Sequence, residues 1–272
     1  MSFATNNIFV ESIGFNGAEV KSLYYNNVLV WGFTWEDSSW EDLYNVCKMK
    51  QAGTLTEWPE SIQIGNIKTC KTRINNTDYT WYMRLIGIDI DAPGTLTFET
   101  ITLPDYRDDD NYTISYANYI YGCMKYHADL NPKESPYYYI KELEKQYELL
   151  SLDNQVRVVK VHTWPLSMNE LGYRKGEETK DFSIADLYTV GVNVPYQYYD
   201  VDDVDERRKR RKKYYYEDNP SIVGTEGWYR DNYNIRRLYG NNNGACYTDG
   251  YGDFKTVGMG YRKDTAFAFT IG

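Results

Sequence analysis

Histidine is rare in this chain, and closely spaced cysteines are absent. The sequence of 272 residues contains two histidines and four scattered cysteines. These are His127 and His162, and Cys47, Cys70, Cys123 and Cys246. Because there is no Cys-x-x-Cys pair, we expect no metal site, no cofactor, and free thiols from a reducing compartment. Each isolated histidine is interpreted as an ordinary surface or core residue.

Long apolar runs and an excess of positive charge are missing too. No stretch approaches the roughly 20 apolar residues that cross a bilayer. The first seven residues lack the basic and apolar regions of a signal peptide. We therefore expect no membrane insertion. The formal net charge is -9 and the pI is near 4.9, so general binding of nucleic acid is not expected, because phosphate contacts need a positive surface.

The sequence motifs of common catalysts are also absent. There is no Gly-x-Ser-x-Gly, no His-Glu-x-x-His and no phosphate-binding glycine loop. Carboxylates are the remaining candidates, since Asp89 with Asp91, or the run 108–110, could act as acid and base on a sugar. That run also fits a solvated turn, and Asn241–Asn243 with Asp249 and Asp253 could offer oxygens to calcium, although without a known ligand spacing. We expect a non-catalytic chain.

Aromatic side chains are abundant. They make up 17% of the residues, with 29 tyrosines, in a chain that is 42% hydrophobic and 25% charged. The overall composition indicates a globular protein. Tyrosine offers a rigid contact surface with a polar tip, which suits recognition. The alternative is a compositional bias of an AT-rich genome, in which Asn, Lys and Tyr rise together, and composition leaves both open.

Residues 1–33 predict a small β module. Runs at 8–10, 19–25 and 28–31 favour strands. Asn16-Gly17 and Asn26-Asn27 separate them and favour hairpin turns, because Asn and Gly tolerate positive φ. So small a β-meander buries little core, so we expect it to lean on a neighbour.

Residues 38–272 predict an α+β domain. Helices are predicted at 38–52 with Ser39 and Asp42 as cap, at 115–126, and after Ser135-Pro136, where residues 140, 143, 147 and 150 would form a buried stripe. Strands are predicted at 62–64, 67–70, 79–88, 95–101, 156–161 and 266–271. Turns are expected at Asn75-Asn76 and Pro93-Gly94. Capping boxes are expected at Ser167 with Glu170 and at Ser183 with Asp186, ended by Gly172 and Gly191.

Residues 198–218 form a strongly charged segment. An acidic stretch, 202–206, precedes the basic run 207–213. The basic run alone would suggest a nucleic-acid or localisation patch. An exposed helix is the favoured interpretation, because acids precede bases by four residues. The pairs are Asp203 with Arg207, Asp205 with Lys209, and Glu206 with Arg210.

Several stretches, taken in order, carry a likeness to a known domain family. They are Ser39–Leu43 followed by Ile62–Lys68, then Arg84–Asp91, Trp164–Gly172, Gly227–Arg230 and Gly260–Phe267. They resemble an uncharacterised domain family of phages and gut Firmicutes that is related to the C-type-lectin and formylglycine-generating-enzyme fold. The departures are Asn66 for the family's Asp, Tyr229 for Trp or Leu, and Lys263-Asp264 for Pro.

This resemblance covers about residues 38–272 and implies a C-type-lectin-like α+β domain. It also implies that the C-terminal Gly/Asn-rich loops are displayed as a variable binding surface. The enzymatic branch of the fold relies on paired cysteines, and Cys246 has no partner nearby in the sequence, which argues against catalysis.

The first strands carry a separate likeness. Ile13–Gly17 and Tyr24–Trp31 resemble the short N-terminal module of phage tail and appendage proteins, where it docks the protein. The resemblance implies partners among other virion proteins of the tail, baseplate or capsid, and a homo-oligomer whose subunits or particle complete the missing core. The docking residues would be Tyr24, Tyr25, Val28, Val30 and Trp31.

Together these likenesses imply a bacteriophage virion structural protein of the tail tip, fibre or capsid surface, assembled in the host cytoplasm. Its lectin-like domain would bind a host cell-surface glycan or protein. The expected ligand-binding residues are Trp228, Tyr229, Tyr233, Tyr239, Asn241, Asn242, Asn243, Tyr247, Asp249 and Tyr251. Two alternatives stay open: a glycan-degrading enzyme of the particle, and a purely architectural virion protein with no ligand.

Overall fold

The computed structural model combines helices with antiparallel strands, which confirms the α+β class. It describes residues 13–15, 18–20, 23–25, 28–31, 34–100, 113–149, 155–164, 166–167, 169–174, 195–211, 227–228, 244–248, 254–258 and 267–272. Its helices are α1 (Trp40–Gln51), α2 (Thr113–Ala128) and α3 (Val204–Arg211). Helix α1 begins at the expected cap, since Ser39 and Asp42 form a reciprocal capping box.

A four-stranded antiparallel sheet is the centre of the fold. Its strands are β5 (Ile67–Ile74), β6 (Thr77–Ile88), β7 (Leu96–Thr100) and β13 (Ala268–Ile271), in the order β13-β7-β6-β5. The turns expected at Asn75-Asn76 and Pro93-Gly94 connect these strands, so these parts of the prediction are confirmed. Strand β13 is also flanked on its other side, where Trp164 bridges Ala268 and Ile140 bridges Ile271.

One face of this sheet carries the main apolar core beneath α1 and α2. Trp40 of α1 lies between two sheet rings, with ring centroids 5.1 Å from Phe98 and 5.7 Å from Phe269. Phe98 and Phe269 also stack on each other at 5.6 Å. Helix α2 adds Ile120, Cys123 and Met124 to the same core. Large aromatic side chains of this kind account for much of the apolar area that a core buries.

The opposite face is covered by a hairpin and two further segments, the second of which ends in α3. The hairpin is formed by β8 (Leu143–Leu149) and β9 (Gln155–Val161), and the segments are 164–174 and 195–211. Because successive strand residues point to opposite faces, Thr97 and Thr270 lie here while Phe98 and Phe269 lie on the helix side. This second layer therefore packs against a face that is partly polar.

The helix expected after Ser135-Pro136 is wrong. A short 3-10 helix, Tyr137–Tyr139, is followed by β8, which pairs along its whole length with β9. The spacing of residues 140, 143, 147 and 150 fits a helix, but the β-branched partner Val156–Val161 favours strand pairing. Lys145, expected outside the apolar stripe, consequently faces inward.

The strand expected at 62–64 is also wrong, because this stretch forms turns. The Ile62 amide donates to the Pro59 carbonyl at 2.9 Å, and the Asn66 side-chain amide donates to the Ser61 carbonyl at 2.7 Å. Gly65 has a φ of 97°, which ends any extended run. Ile62 nevertheless remains in the core.

Within the charged segment, Val204–Arg211 form a helix as expected, but this helix is not exposed on all sides, and residues 212–218 lie outside the described residues. Arg207 and Arg211 are buried. Arg207 donates to the Val201 and Asp202 carbonyls, and Arg211 donates to the Leu171 and Gly172 carbonyls. Of the three expected ion pairs, Glu206 with Arg210 forms at 3.0 Å. Asp203 instead accepts from the Glu206 amide as a helix cap, and Asp205 pairs with Arg208 at 3.2 Å.

The N-terminal strands form two separate hairpins. They are β1 (Ile13–Phe15) with β2 (Ala18–Val20), and β3 (Leu23–Tyr25) with β4 (Val28–Trp31). Both lie where Asn16-Gly17 and Asn26-Asn27 predict turns. The expected run 19–25 is divided between β2 and β3, and the run 8–10 lies outside the described residues.

Three further strands lie between α3 and β13. They are β10 (Gly227–Trp228), β11 (Gly244–Thr248) and β12 (Phe254–Gly258), which form an antiparallel sheet in that order.

Candidate functional site

A surface pocket lies beside the tip of the β5–β6 hairpin. Its volume is about 450 Å³, within the ~300–1,000 Å³ typical of small-molecule sites. The lining residues define what we call the hairpin pocket: Arg73, Asn75, Asn76, Tyr126, Asp129 and Leu130. Two parts of the fold build it, since the hairpin tip supplies the first three residues, and the end of α2 with the turn that follows it supplies the others.

The hairpin tip presents two amide side chains. Asn75 and Asn76 have φ values of 48° and 64°, the left-handed conformation that a two-residue hairpin turn needs and that Asn tolerates well. Both side chains are exposed. Within the described residues neither amide group forms a hydrogen bond. Each therefore keeps a donor and an acceptor for a ligand.

The end of α2 presents an aromatic ring and an aliphatic side chain. Tyr126 is 65% exposed and Leu130 is 59% exposed. Their neighbours Met124 and His127 are buried, so the helix divides into an inner and an outer side. Exposed large side chains at the rim of a pocket are a common feature of binding sites.

Each charge at the hairpin pocket already has an opposite partner. Arg73 lies 3.4 Å from Asp78, and Lys125 lies 2.8 Å from Asp129. Asp129 also accepts a hydrogen bond from the Tyr138 hydroxyl. The hydrogen bond from Lys125, and then that from Tyr138, hold the pKa of the Asp129 carboxyl below its usual value. A charged ligand would have to displace one of these partners, so the pocket suits a neutral, hydroxyl-rich one.

A polar network beneath the pocket ties α2 to the hairpin. His127 is 1% exposed, and its ring nitrogens lie 3.2 Å from Asp78 Oδ1 and 3.0 Å from Glu134 Oε2. Glu134 also pairs with Lys71 of β5 at 2.7 Å. The hydrogen bond from Lys71 is the largest cause of a lowered pKa at Glu134. The expectation that His127 is an ordinary core residue agrees with this arrangement.

A second group of polar side chains is buried between the sheet and the β8–β9 hairpin. We call it the buried lysine cluster: Asp91, Thr97, Lys145, Glu170, Tyr196 and Thr270. Lys145 Nζ lies 2.6 Å from Asp91 Oδ1 and 3.6 Å from Glu170 Oε1, and the three side chains are 5%, 2% and 0% exposed. A diffusing substrate cannot reach groups as deep as these.

Hydroxyl groups surround Asp91 within this cluster. Tyr196 donates at 3.0 Å and 3.1 Å to the two carboxylate oxygens, and Thr270 donates at 2.9 Å. Thr97 donates at 2.5 Å. The Lys145 ammonium also lies 4.2 Å from the ring centroid of Trp164. The cluster is therefore held by bonds from β7, β13, β8 and the segment 195–211.

A third buried group anchors the segment 195–211 to the sheet. The Tyr199 hydroxyl donates to Glu99, and Arg84 lies 3.9 Å from the same carboxylate. Burial raises the pKa of Tyr199, so its hydroxyl stays protonated. Tyr198 lies between two cations, with its ring 4.5 Å from Arg84 and 5.2 Å from Arg210.

The carboxylates considered for acid–base catalysis do not share an open site. Asp89 has a φ of 60° and accepts from the Trp58 indole at 2.8 Å and the Gly94 amide at 2.6 Å, so it holds a turn. Asp91 is enclosed in the buried lysine cluster. The run 108–110 lies outside the described residues, as do Asp249 and Asp253.

Three of the cysteines are buried. Cys47, Cys70 and Cys123 are buried thiols rather than disulfides within the described part of the chain. Burial raises the pKa of Cys47 to about 12 and raises that of Cys70 as well. A thiol becomes a nucleophile as its thiolate, so Cys47 and Cys70 stay protonated and unreactive at neutral pH. Cys246 lies on β11.

The structure brings together two of the expected ligand-binding residues. Trp228 of β10 and Tyr247 of β11 are direct register partners. The other eight lie outside the described residues: Tyr229, Tyr233, Tyr239, Asn241, Asn242, Asn243, Asp249 and Tyr251. The expected docking residues Tyr24, Tyr25, Val28, Val30 and Trp31 all lie on β3 and β4, where Tyr25 pairs with Val28.

Sequence reasoning missed the hairpin pocket. The Asn75-Asn76 turn and the helix ending near residue 126 were each predictable. Their meeting was not, because it depends on how α2 packs against β5. The signal that could have found it is the position of Tyr126 and Leu130 outside the buried stripe of α2.

Comparisons with protein families, curated proteins and solved structures found no match to this chain. A search of the described residues for a helix of sufficient length and hydropathy to cross a bilayer found none. Within the same residues, no three His, Cys, Asp or Glu side chains are grouped so that they could hold a metal ion.

Proposed function

We propose that this chain is a bacteriophage virion structural protein that attaches the particle to its host by binding, without altering, a neutral cell-surface saccharide. The hairpin pocket is the observation that carries this proposal. It combines an exposed tyrosine ring, two exposed amides and neutralised charges in a space of about 450 Å³.

The chemistry of the pocket matches that of a sugar. The C–H face of a pyranose ring packs on an aromatic face such as that of Tyr126. Adjacent hydroxyl groups accept and donate hydrogen bonds, and the amides of Asn75 and Asn76 do both. Since Arg73 and Asp129 are paired with Asp78 and Lys125, a neutral ligand binds without leaving a charge uncompensated.

The particle setting and the finer fold rest on the sequence likenesses. The motifs between 39 and 267 support a C-type-lectin-like domain, and the strands β3 and β4 support an N-terminal docking unit. Docking to other virion proteins would leave the larger domain facing the host.

The C-terminal segment would add a further contact surface. It leaves the domain at Arg211, which donates to the Leu171 and Gly172 carbonyls, and returns at Phe267, which is in the main core. The expected ligand-binding residues Trp228 and Tyr247 belong to the chain between these two anchors.

A binding experiment with printed neutral oligosaccharides tests the proposal. The purified full-length chain is applied to the array, and the affinity for the best ligand is then measured for the Tyr126→Ala variant. Loss of the stacking ring should weaken binding about fivefold, since stacking contributes on the order of 1 kcal/mol. Tyr82→Ala is the matched control, because Tyr82 is also partly exposed but lies outside the pocket, at mid-strand in β6.

Other results would favour the alternatives. An equal loss of affinity in both variants, or no loss in either, would show that the hairpin pocket does not bind the saccharide. Binding of no oligosaccharide and of no cell surface, together with normal incorporation into particles, would favour a purely architectural protein. Release of reducing ends from a bound glycan would favour an enzyme.

A further inference from the structure

The buried lysine cluster contains the groups that an amide bond between two side chains requires. An amine and a carboxylate lie 2.6 Å apart, with a second carboxylate 3.6 Å from the amine. All three charged side chains are almost completely enclosed. Buried ion pairs add little to stability because burial removes their hydration. Neither the proposed binding nor the docking uses this cluster.

We propose that Lys145 and Asp91 condense to form an intramolecular amide bond that cross-links β8 to the turn after β6. Glu170 acts as the group that moves the protons. The cross-link would join residues 54 positions apart in the sequence. It is independent of the hairpin pocket and does not depend on the proposed function.

The reaction balances within the cluster. Lys145 Nζ gives a proton to Glu170 Oε1, and the neutral amine attacks Cγ of Asp91. The nitrogen–carbon bond forms, and the extra negative charge on the Asp91 oxygens is stabilised by the hydroxyls of Tyr196, Thr97 and Thr270. Glu170 passes that proton to one Asp91 oxygen, then takes a second proton from the attacking nitrogen, which still carries two hydrogens, and passes it to the same oxygen. The bond from carbon to that oxygen breaks, the oxygen leaves as water, and Glu170 is again a carboxylate. No oxidant, metal or cofactor is needed.

The fold holds these groups in place for the reaction. Ser167 donates its backbone amide to Glu170 Oε2 at 2.8 Å, which leaves Oε1 facing Lys145. The Trp164 ring lies 4.2 Å from Nζ and limits its movement. Such preorganisation raises the effective concentration of amine against carboxyl far above that in solution. Condensation also replaces two buried charges by a neutral amide.

Charge balance favours the same outcome. Within the cluster one cation faces two carboxylates, an arrangement that burial penalises. After condensation one carboxyl group remains, that of Glu170, and it still accepts a hydrogen bond from the Ser167 backbone amide, while the Glu170 amide donates to the Ser167 hydroxyl.

Intact mass spectrometry of the full-length chain tests the proposal. After folding, the wild type should be lighter than its sequence by one water, about 18 Da, because amide formation releases water. Tandem mass spectrometry should identify one cross-linked peptide that joins Lys145 to Asp91. The proposal is overturned if the folded wild type, incubated at 37 °C, keeps the full mass of its sequence. It is also overturned if the cross-link joins Lys145 to Glu170.

Two variants separate the cross-link from other water losses. Lys145→Arg keeps a cation but cannot form the bond, and Glu170→Gln keeps the shape of the proton carrier but not its basicity. Both should show the full mass, with circular dichroism confirming that each is folded. A loss of about 18 Da that persists in Lys145→Arg would come from cyclisation elsewhere and would contradict the assignment. The wild-type measurement remains decisive even if a variant does not fold.

Discussion

Single residues in the described part of the chain show how buried polar groups are kept satisfied. The guanidinium of Arg211 donates to two carbonyls, and its central carbon Cζ lies 3.7 Å from the ring centroid of Tyr173. Glu99 likewise accepts from the Tyr199 hydroxyl, and Lys145 pairs with Asp91. Arrangements of this kind fix one packing of the second layer, since a shifted layer would leave a charge unpaired.

Two left-handed glycines allow a matched test of this close packing. Gly172 and Gly53 have φ values of 68° and 69°, but a Cβ at Gly172 would lie 2.7 Å from the Tyr199 carbonyl oxygen, whereas none lies within 4 Å at Gly53. Gly53→Ala should cost about 1–2 kcal/mol for conformation alone. Gly172→Ala should cost clearly more, as measured by urea unfolding. Equal costs would contradict the close approach of segments 169–174 and 195–211.

The Lys71–Glu134 pair predicts a dependence of stability on pH. The pKa of Glu134 is lowered in the folded chain, chiefly by the Lys71 hydrogen bond. A lowered carboxyl pKa means that its stabilising effect is present above the unfolded pKa and is lost as the pH falls through the folded one. Lys71→Met should therefore flatten the acid side of the stability curve, by less than about 1 kcal/mol because the pair is partly exposed.

Thermal melts between about pH 3 and pH 7 measure this effect, because that interval spans the ordinary carboxyl titration. Lys133→Met is the control, since Lys133 is exposed near the same turn. A curve that is unchanged in Lys71→Met, or flattened equally in both variants, would show that the pair does not stabilise the fold.

At the scale of elements, the structure tests the role of the α1 cap. The Ser39 hydroxyl accepts from the Asp42 amide at 3.1 Å, and Asp42 accepts from the Ser39 amide at 2.8 Å. Ser39→Ala should destabilise the chain by about 1 kcal/mol. Glu41→Gln is the control, because it removes a charge from the same turn without touching the cap. Unchanged stability in Ser39→Ala would show that the cap does not stabilise α1.

Sequence patterns identified the elements whose signals are local. The α1 cap, the Asn75-Asn76 turn and strands β5 to β7 are each specified by adjacent residues, and they lie where they were expected. Strand β8 was mistaken for a helix because its apolar residues happen to recur at helical spacing, while its pairing with β9 depends on residues that follow it.

The buried lysine cluster and the hairpin pocket could not be predicted from local sequence patterns. Lys145 and Asp91 are 54 positions apart, and a charged side chain in a polar stretch is normally exposed. Its burial follows only from the strand pairing of β8. The hairpin pocket likewise joins residues 73–76 to residues 126–130, and nothing in either stretch alone indicates the other.

At the scale of the whole molecule, the N-terminal module should be removable without loss of the larger fold. The main core is built from residues 35 onward, beginning with Trp35, whose indole donates to the Ile67 carbonyl at 2.8 Å. A chain lacking residues 1–33 should keep a single cooperative thermal transition but fail to enter virions. An unfolded remainder, or normal incorporation, would contradict the docking role.

The proposed attachment function also predicts where variation affects binding and where it affects folding. Substitutions at Asn75 or Asn76 by other polar residues that accept positive φ should change saccharide affinity with little effect on stability. Asn76→Asp is one such change, since Asp also tolerates this backbone conformation. Paired measurements of binding and of urea unfolding check this. A loss of stability that matches the loss of binding would show that the hairpin tip maintains the fold rather than contacting the saccharide.

Binding without turnover is the property on which the attachment function depends. Incubation of the purified full-length chain with isolated Gram-positive cell walls measures both at once, by the fraction of protein that sediments and by the reducing ends released. We expect sedimentation that Tyr126→Ala reduces and Tyr82→Ala does not, with reducing ends at the level of protein-free walls. Reducing ends that rise with time, or sedimentation that is the same in all three chains, would contradict a saccharide-binding, non-catalytic head.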